Sequence, residues 1–233
     1  MKIEGILLDL DNTVYDYRTA HVPALAETVS WLAKKLGRPV EQVERAFADS
    51  RARVNAELHG LASSHSRLLY FQGVCEIFGQ WPCEIALEAE DLYWSAFFLK
   101  MELRPGCLAF LKAVRPRPIA IVTDLTAAVQ FAKLTRLGLQ DFVQVVVTSE
   151  EVGKEKPHGE IFIRAAAKLG LEAEHLCMIG DSWERDIVGA HCLGMPCFWY
   201  KEEDGATGVE ADCAKAKKFS HFSELITLVD ACG

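Results

Sequence analysis

The chain has 233 residues, of which 50% are hydrophobic and 25% are charged, a balance typical of folded proteins rather than disordered ones. Its 25 basic and 33 acidic residues give a formal net charge of −8. This charge argues against a broad surface for a nucleic-acid polymer or an anionic membrane, because both require clustered lysine and arginine. It is compatible with a small anionic ligand held in a local basic pocket. We expect a monomer or a homodimer with no membrane partner.

The sequence also indicates the compartment in which the protein works. No apolar segment approaches the ~20 residues of a membrane span, and we expect no signal peptide, because the residues before the first strand-like segment do not resemble one. The eight cysteines show neither a CxxC pair nor a zinc-type cluster. We therefore expect reduced cysteines that fill the core, and a cytoplasmic protein.

The first predicted element is a buried strand over residues 3–10, an apolar segment that ends in acidic residues. Between residues 17 and 103 no strand pattern occurs, and four helices are predicted at 22–36, 40–58, 66–78 and 84–100. This helical insert follows the carboxyl end of a strand, where open α/β sheets bind ligands. We expect it to be a cap domain over the site; the alternative is an extra packing layer with no role in catalysis.

After Pro105 and Gly106 the chain alternates between strands and helices. Strands are predicted at residues 118–123, 143–148, 176–180 and 197–200, and helices at 125–137, 161–169, 184–193 and 222–231. Residues 201–218 are polar and predict an exposed connection. This pattern predicts an α/β fold with a Rossmann-like parallel sheet core, helices on both faces and an inserted four-helix cap. The expected domains are residues 1–16 with 104–233 for the catalytic core and 17–103 for the cap.

Two acidic residues follow the first predicted strand. Asp9 and Asp11 are two residues apart, and Thr13 comes next at the same spacing. Carboxylates at the end of a buried strand offer a nucleophile, a general acid or base, or ligands for a hard cation. The structural alternative is that Asp11, Asn12 and Thr13 only form a turn.

Polar residues follow the next strands as well. Thr123 and Asp124 end the strand after the cap, where a hydroxyl and the following backbone N–H groups can bind a phosphoryl oxygen, or simply cap the next helix. Lys156 precedes a predicted helix that Pro157 begins, and it could neutralise both a carboxylate and a phosphate. Lys154 competes for that role, and either lysine could instead be a solvated surface residue.

A second pair of acids follows the strand at residues 176–180. Asp181 lies at the predicted strand end and Asp186 one turn into the next helix, where their oxygens could hold a magnesium ion or stabilise the positive end of the helix. All four groups follow successive predicted strands of one parallel sheet. One crevice would therefore collect the acids, the hydroxyl and the lysine.

This ordered set of motifs resembles the haloacid dehalogenase-like (HAD) superfamily of hydrolases over nearly the whole chain. Four motifs carry the resemblance: Asp9-Leu10-Asp11-Asn12-Thr13, Thr123, Lys156, and Gly180-Asp181-Ser182 through Asp186. The helical insert is similar to that of the subgroup with an α-helical cap. Phosphatases and mutases of the family keep an acid two residues after the first aspartate and dehalogenases lack it. The resemblance therefore implies a phosphomonoester hydrolase.

The resemblance also implies a role for each motif residue. Asp9 would attack phosphorus and form an aspartyl-phosphate, and Asp11 would protonate the leaving alcohol and then activate water. Lys156 and Thr123, with Asp124 beside it, would bind the phosphoryl oxygens. Asp124 stands where Asn or Gly is commoner, and its negative charge would weaken phosphate binding unless it points away.

The implied cofactor is Mg²⁺. Its ligands would be Asp9, the backbone carbonyl of Asp11, and Asp181. Asp186 would be a further ligand, directly or through water, or would orient Lys156.

The expected substrate is a small phosphorylated metabolite, and a nucleoside monophosphate, a sugar phosphate and phosphoglycolate are all open. Residues after the first motif are candidates for substrate specificity: Tyr15, Tyr17, Arg18 and His21. Two other functions are compatible with the same fold, a phosphoryl-transfer mutase acting on a sugar phosphate and a catalytically silent binding protein. Thr13 disfavours the mutase, since mutases of this subgroup usually have an apolar residue there, and the complete set of site residues disfavours the silent protein.

Overall fold

A computed structural model describes residues 2–202 and 216–231. The chain forms two compact units. One contains the chain up to Asp16 and from Glu102 onward, and the other is Tyr17–Met101. No helix among the described residues is long and apolar enough to cross a membrane, and no disulfide joins any of the described cysteines.

The first unit is built on a six-stranded sheet in the order β3-β2-β1-β4-β5-β6, with every neighbouring pair parallel. The strands are β1 Gly5–Leu8, β2 Ile119–Thr123, β3 Val145–Thr148, β4 Leu176–Gly180, β5 Cys197–Tyr200 and β6 Lys217–Phe219. β1, β2 and β4 are buried along their whole length, as expected for strands covered on both faces. β1 lies near the centre of the sheet, between β2 and β4.

Helices cover both faces of this sheet, which confirms the predicted fold class. They are α5 Cys107–Ala113, α6 Ala127–Arg136, α7 Ser149–Val152, α8 Gly159–Leu169, α9 Gly189–His191 and α10 Phe222–Asp230, with a single π-helical turn at Trp183–Val188 before α9. Leu7 and Met178 face α8, whose Phe162 is fully buried against that side. Alternate strand residues point to the other face, where Phe110 of α5 and Phe222 of α10 pack ring against ring at 5.8 Å.

The local sequence accounts for the position of α8 directly behind the central strands. Ile161, Phe162 and Ala165 lie on one side of the helix and are completely buried, the spacing of an amphipathic helix. Gly170 ends the helix in the left-handed region at φ +67°, a conformation that glycine adopts without steric cost.

Two details of the predicted elements were wrong. The first cap helix begins at Tyr17 rather than at residue 22, and Pro23 lies in its interior. Because proline is typical of the first turn of a helix, Pro23 favours a start near residue 22, which is too late. The connection predicted over residues 201–218 ends in β6, an edge strand whose two lysines are exposed and whose Phe219 is buried. Lysines suit an edge strand because they oppose pairing with another chain. Residues 203–215 of that connection lie outside the described part of the chain.

The second unit is a four-helix unit with an aromatic core. Its helices are α1 Tyr17–Leu36, α2 Val40–Glu57, α3 Arg67–Ile77 and α4 Pro82–Lys100. A 3₁₀ turn, Ala62–His65, joins α2 to α3. Phe71, Tyr93 and Phe97 are fully buried, and their rings lie 5.8–6.2 Å apart in neighbouring pairs.

Candidate active site

The carboxyl ends of the central strands place the motif residues around one point. Asp9 follows β1, and its backbone N–H donates to Ile179 O on β4 at 2.9 Å. Thr123 is the last residue of β2, and Asp181 follows the last residue of β4. Lys156 lies between α7 and α8, in the connection after β3. These side chains therefore lie at the same edge of the parallel sheet, as the sequence pattern predicts.

Lys156 lies at the centre of the cluster with only 3% of its side chain exposed. Its Nζ donates to Asp9 Oδ1 at 2.5 Å, to Asp186 Oδ1 at 2.6 Å and to Val122 O at 3.1 Å. Burial alone would lower the pKa of Lys156, but the charges of Asp186 and Asp9 outweigh burial and hold the pKa above its usual value. The lysine is thus a fixed positive charge beside Asp9. The competing Lys154 is exposed and lies 3.7 Å from Glu160.

Three carboxylates crowd the same point. One oxygen each from Asp9, Asp181 and Asp186 lies within 4.8 Å of the other two. The Thr13 hydroxyl donates to Asp9 Oδ2 at 2.7 Å and lies 3.3 Å from Asp181 Oδ1. Burial, reinforced by the charges of Asp9 and Asp186, raises the pKa of Asp181 to about 8.

This arrangement fits a hard divalent cation. The cluster has three acids and one buried lysine, which pairs with Asp9 and Asp186. Its negative groups therefore outnumber its positive group. Oxygen donors of this type are the ligands that Mg²⁺ takes in proteins. Asp186 has both oxygens occupied already, one by Lys156 and the other by the backbone N–H of Ser182 at 2.9 Å. Asp9 likewise has both oxygens in hydrogen bonds, Oδ1 with Lys156 and Oδ2 with Thr13. The contacts of Asp186 are compatible with both predicted roles, a cation ligand and a residue that orients Lys156.

Thr123 and Asp124 occupy the end of β2 beside this cluster. The Thr123 hydroxyl is buried and accepts a hydrogen bond from Gln130 Nε2 at 2.6 Å. Asp124 Oδ1 accepts from the backbone N–H of Lys156 at 3.0 Å, and Oδ2 pairs with Arg185 Nη1 at 3.3 Å. The negative charge of Asp124 is therefore paired with the positive charge of Arg185.

Asp11 is surrounded by residues that the motif analysis did not single out as its partners. Lys133 Nζ donates to Asp11 Oδ1 at 2.5 Å, and Gln130 Nε2 donates to Oδ2 at 2.8 Å. The hydroxyl of Tyr15 also donates to Oδ1. Burial would raise the pKa of Asp11, but Lys133 and the hydrogen bonds outweigh burial and lower it. The only sequence signal for the α6 pair is the i, i+3 spacing of two polar residues, which is equally typical of a solvated face.

The predicted specificity residues have different positions. Tyr15 is fully buried in the first unit and contacts Asp11. Tyr17 and His21 belong to the helical unit, where their rings stack at 4.9 Å, and Arg18 is exposed on the same helix. Arg67, a further candidate on the helical insert, donates from Nη2 to the Tyr17 hydroxyl and is 7% exposed.

The side chain of Arg67 lies among four aromatic rings, at 5.3–5.9 Å from each ring centre. Its Nε is buried without a hydrogen-bond partner, and no described carboxylate forms an ion pair with it. His21 is hydrogen-bonded to the Tyr93 hydroxyl at 2.7 Å. Burial, together with the charges of Arg67 and Arg51, lowers the pKa of His21 to about 4.

Comparison with known proteins places the chain in a family. Residues 3–194 match the model of the haloacid dehalogenase-like hydrolases. A ribulose-1,5-bisphosphate 5-phosphatase of Halopiger xanaduensis is 36% identical over 224 residues, which cover 93% of each chain. A glyceraldehyde 3-phosphate phosphatase of Methanopyrus kandleri is 29% identical and covers 83% of this chain and 82% of its own length.

Solved structures agree on the fold. A 2-haloacid dehalogenase of Pseudomonas syringae superposes with a TM-score of 0.80 at 24% identity, covering 99% of this chain and all of that one. The HAD hydrolase YfnB of Bacillus subtilis, determined with bound magnesium, superposes with a TM-score of 0.71 at 20% identity, covering 98% and 99%. The family match over most of the sequence and the curated phosphatase relatives agree. The chain belongs to the haloacid dehalogenase-like hydrolases and is an enzyme of their phosphatase branch.

Proposed function

We propose that the protein is a Mg²⁺-dependent phosphatase that hydrolyses a small phosphorylated carbohydrate through an aspartyl-phosphate. The observation that carries the proposal is the Asp9–Lys156 contact at 2.5 Å inside a cluster of three carboxylates. A carboxylate approaches a phosphate dianion only when positive charge offsets the repulsion. The cluster offers one fixed cation and donors for a second.

Asp9 is the proposed nucleophile. Its Oδ2 is held by Thr13 and its Oδ1 by Lys156, so the carboxylate has one fixed orientation at the end of β1. Attack forms a bond between an Asp9 oxygen and phosphorus while the bond from phosphorus to the leaving alkoxide oxygen breaks, with the electron pair going to that oxygen. Lys156 and the Thr123 hydroxyl bind the phosphoryl oxygens during this transfer.

Asp11 is the proposed acid and base. It gives a proton to the leaving oxygen in the first step and takes one from the water that hydrolyses the aspartyl-phosphate in the second. A cation bound by Asp9, Asp181 and the backbone carbonyl of Asp11, with Asp186 directly or through water, would neutralise negative charge on the phosphoryl group. An acid at this position also separates a phosphatase from a dehalogenase, because a halide leaves without a proton.

The substrate class is proposed from the relatives and from the helical unit. The two relatives are named as phosphatases of ribulose 1,5-bisphosphate and of glyceraldehyde 3-phosphate, both phosphorylated carbohydrates. Tyr17, Arg18, His21 and Arg67 supply hydroxyl, imidazole and guanidinium groups on one unit. Such groups suit a hydroxylated, anionic substrate. We therefore propose a sugar phosphate in preference to a nucleoside monophosphate.

The test is phosphate release across a panel of phosphomonoesters in the presence of Mg²⁺. The panel holds sugar phosphates, phosphoglycolate, nucleoside monophosphates and p-nitrophenyl phosphate, with Asp9→Asn as the inactive control. We expect kcat/KM to be highest for a sugar phosphate and the activity to disappear with EDTA and return with Mg²⁺. A nucleotide preference would overturn the substrate class. Transfer of phosphate between sugar hydroxyls without release of inorganic phosphate would indicate the mutase.

A further inference from the structure

One helix of the catalytic unit presents two buried polar side chains to Asp11. Gln130 and Lys133 are on α6, three residues apart and on one face. Gln130 is fully buried, and the Lys133 side chain is 1% exposed. Burying an amide and a charged amine costs stability unless their contacts compensate. A helix that served only to cover the sheet would have apolar residues here.

The contacts of these two residues reach both parts of the proposed acid–base and phosphate sites. Lys133 holds Asp11 Oδ1 at 2.5 Å. Gln130 Nε2 lies within hydrogen-bond distance of three acceptors, Asp11 Oδ2 at 2.8 Å, Thr123 Oγ1 at 2.6 Å and Asp124 O at 2.6 Å. The Gln130 amide therefore ties the loop after β1 to the end of β2. Its Oε1 is buried with no partner, so the side chain is placed by its donors alone.

Asp11 needs such support because of its place in the chain. It lies beyond the end of β1 with 28% of its side chain exposed, whereas Asp9 is held inside the cluster. A half-buried carboxylate on a loop can still rotate, and proton transfer requires a heavy-atom distance of about 2.6–3.2 Å to the reacting oxygen. The two donors from α6 and the Tyr15 hydroxyl hold both oxygens of Asp11.

We propose that Lys133 and Gln130 are positioning residues that orient the Asp11 carboxyl group for proton transfer to the leaving alcohol. The inference rests on the proposed function, because it requires Asp11 to be the acid. Asp11 remains the residue that gives the proton, as the bond from phosphorus to the leaving oxygen breaks. The α6 side chains act through Asp11. Their removal should therefore slow hydrolysis only of substrates whose leaving group needs a proton.

The test compares an alkyl phosphate that the enzyme hydrolyses with p-nitrophenyl phosphate. The p-nitrophenolate ion is a stable leaving group and depends little on proton donation, whereas an alkoxide needs it. The measured quantity is kcat/KM, which covers the steps up to release of the alcohol. We expect Lys133→Met to lower kcat/KM for the alkyl phosphate at least ~10-fold and to change the aryl value less than ~3-fold. The expected loss is smaller than the ~10²–10⁴-fold that a general acid contributes, because Asp11 itself remains.

Several variants make the result decisive. Lys133→Arg keeps a cation and should recover part of the alkyl activity, and Gln130→Leu provides a second test if Lys133→Met does not fold. Lys168→Met is the matched control, because Lys168 pairs with Glu151 on the surface of α8 and its loss should leave both substrates unaffected. Equal losses for the two substrates in both α6 variants would overturn the inference.

Asp11→Asn separates failure of the inference from failure of the proposed function. If Asp11→Asn shows the alkyl-selective loss and the α6 variants do not, Asp11 is the acid and the positioning role is wrong. If Asp11→Asn lowers kcat/KM equally for both substrates, Asp11 is not the acid, and the proposed function is wrong at this residue.

Discussion

Gly180 gives the most direct physical test of how the site is packed. It is the last residue of β4, and a Cβ added there would lie 2.3 Å from Asp186 Oδ2, 2.4 Å from Cγ and 2.6 Å from Cβ. These distances are about 1 Å inside the 3.4 Å at which ordinary contact begins. Because Asp186 Cβ is among the close atoms, rotation of the carboxylate alone cannot relieve the overlap. Gly180→Ala therefore requires a shift at this contact, and we expect Asp186 to move away from Lys156.

The size of the effect follows from two contributions. Overpacking a tight interior costs about 1–3 kcal/mol, and breaking a buried ion pair costs about 3–5 kcal/mol when one partner is removed. Lys156 keeps its contact with Asp9, so only part of the second cost applies. We expect Gly180→Ala to lower the free energy of unfolding by about 3 kcal/mol, which corresponds to a fall in Tm of about 6–12 °C in a chain of this size.

The assay is urea and thermal unfolding, with kcat measured on the folded variant. Gly159→Ala is the matched control, because its Cβ would meet only Leu193 Cδ2 at 3.9 Å and alanine favours the helix that begins there. It should be neutral or slightly stabilising. In an Asp186→Ala background the cost of Gly180→Ala should fall by more than half, since two of the three close atoms are gone. A loss below about 0.5 kcal/mol in the wild-type background, or full additivity of the two changes, would refute this reasoning.

Four further outcomes are expected. Asp9→Asn should abolish turnover and leave the circular dichroism spectrum unchanged; retained turnover would contradict the nucleophile. Mg²⁺ should raise the Tm of the wild type by mass action, and Asp181→Asn should remove most of that increase, whereas an equal shift in both proteins would remove Asp181 from the cation site. Arg67→Met should leave the free energy of unfolding within about 1 kcal/mol, because an apolar side chain of similar shape replaces a buried charge, but should raise KM for the sugar phosphate; an unchanged KM would exclude Arg67 from recognition. His21 has a folded pKa of about 4 against a usual value of 6.5, so the unfolded chain binds the proton more readily. Wild-type stability should therefore decline as pH falls from 6.5 to 4, and a His21→Asn variant that declined equally would rule out this cause.

The sheet and the acidic motifs could be predicted from the sequence because each rests on a strong local signal. Continuous apolar segments with no alternation are characteristic of strands buried on both faces, and the structure has them at the centre of the sheet. Asp9 and Asp181 follow such segments directly, so their meeting at one edge follows from topology. The geometry at Asp186 also depends on Gly180, whose role is evident only when the two residues are seen side by side.

The partners of Asp11 could not be predicted in the same way. Gln130 and Lys133 lie 119 and 122 residues from Asp11 in the sequence, and polar residues on a helix usually face solvent. The surroundings of Arg67 could not be predicted either, because an arginine at the start of a helix gives no sign that four aromatic rings will surround it. In each case burial of a polar side chain is set by tertiary packing and leaves no periodic pattern in the chain.

The indole ring of Trp199 provides an intrinsic optical probe of the site. Its Nε1 donates to the carbonyl of Asp181 at 2.7 Å, and the ring of Trp183 lies 5.0 Å away, edge to face. Lys201 Nζ and Lys218 Nζ lie over Trp199 at 5.1 and 5.3 Å from the ring centre. A ligand that binds Asp181 and shifts its position would change the hydrogen bond of Trp199 and so the surroundings of this fluorophore. Occupancy of the site should therefore be measurable as a change in tryptophan emission that Trp199→Phe abolishes, without a label and without turnover.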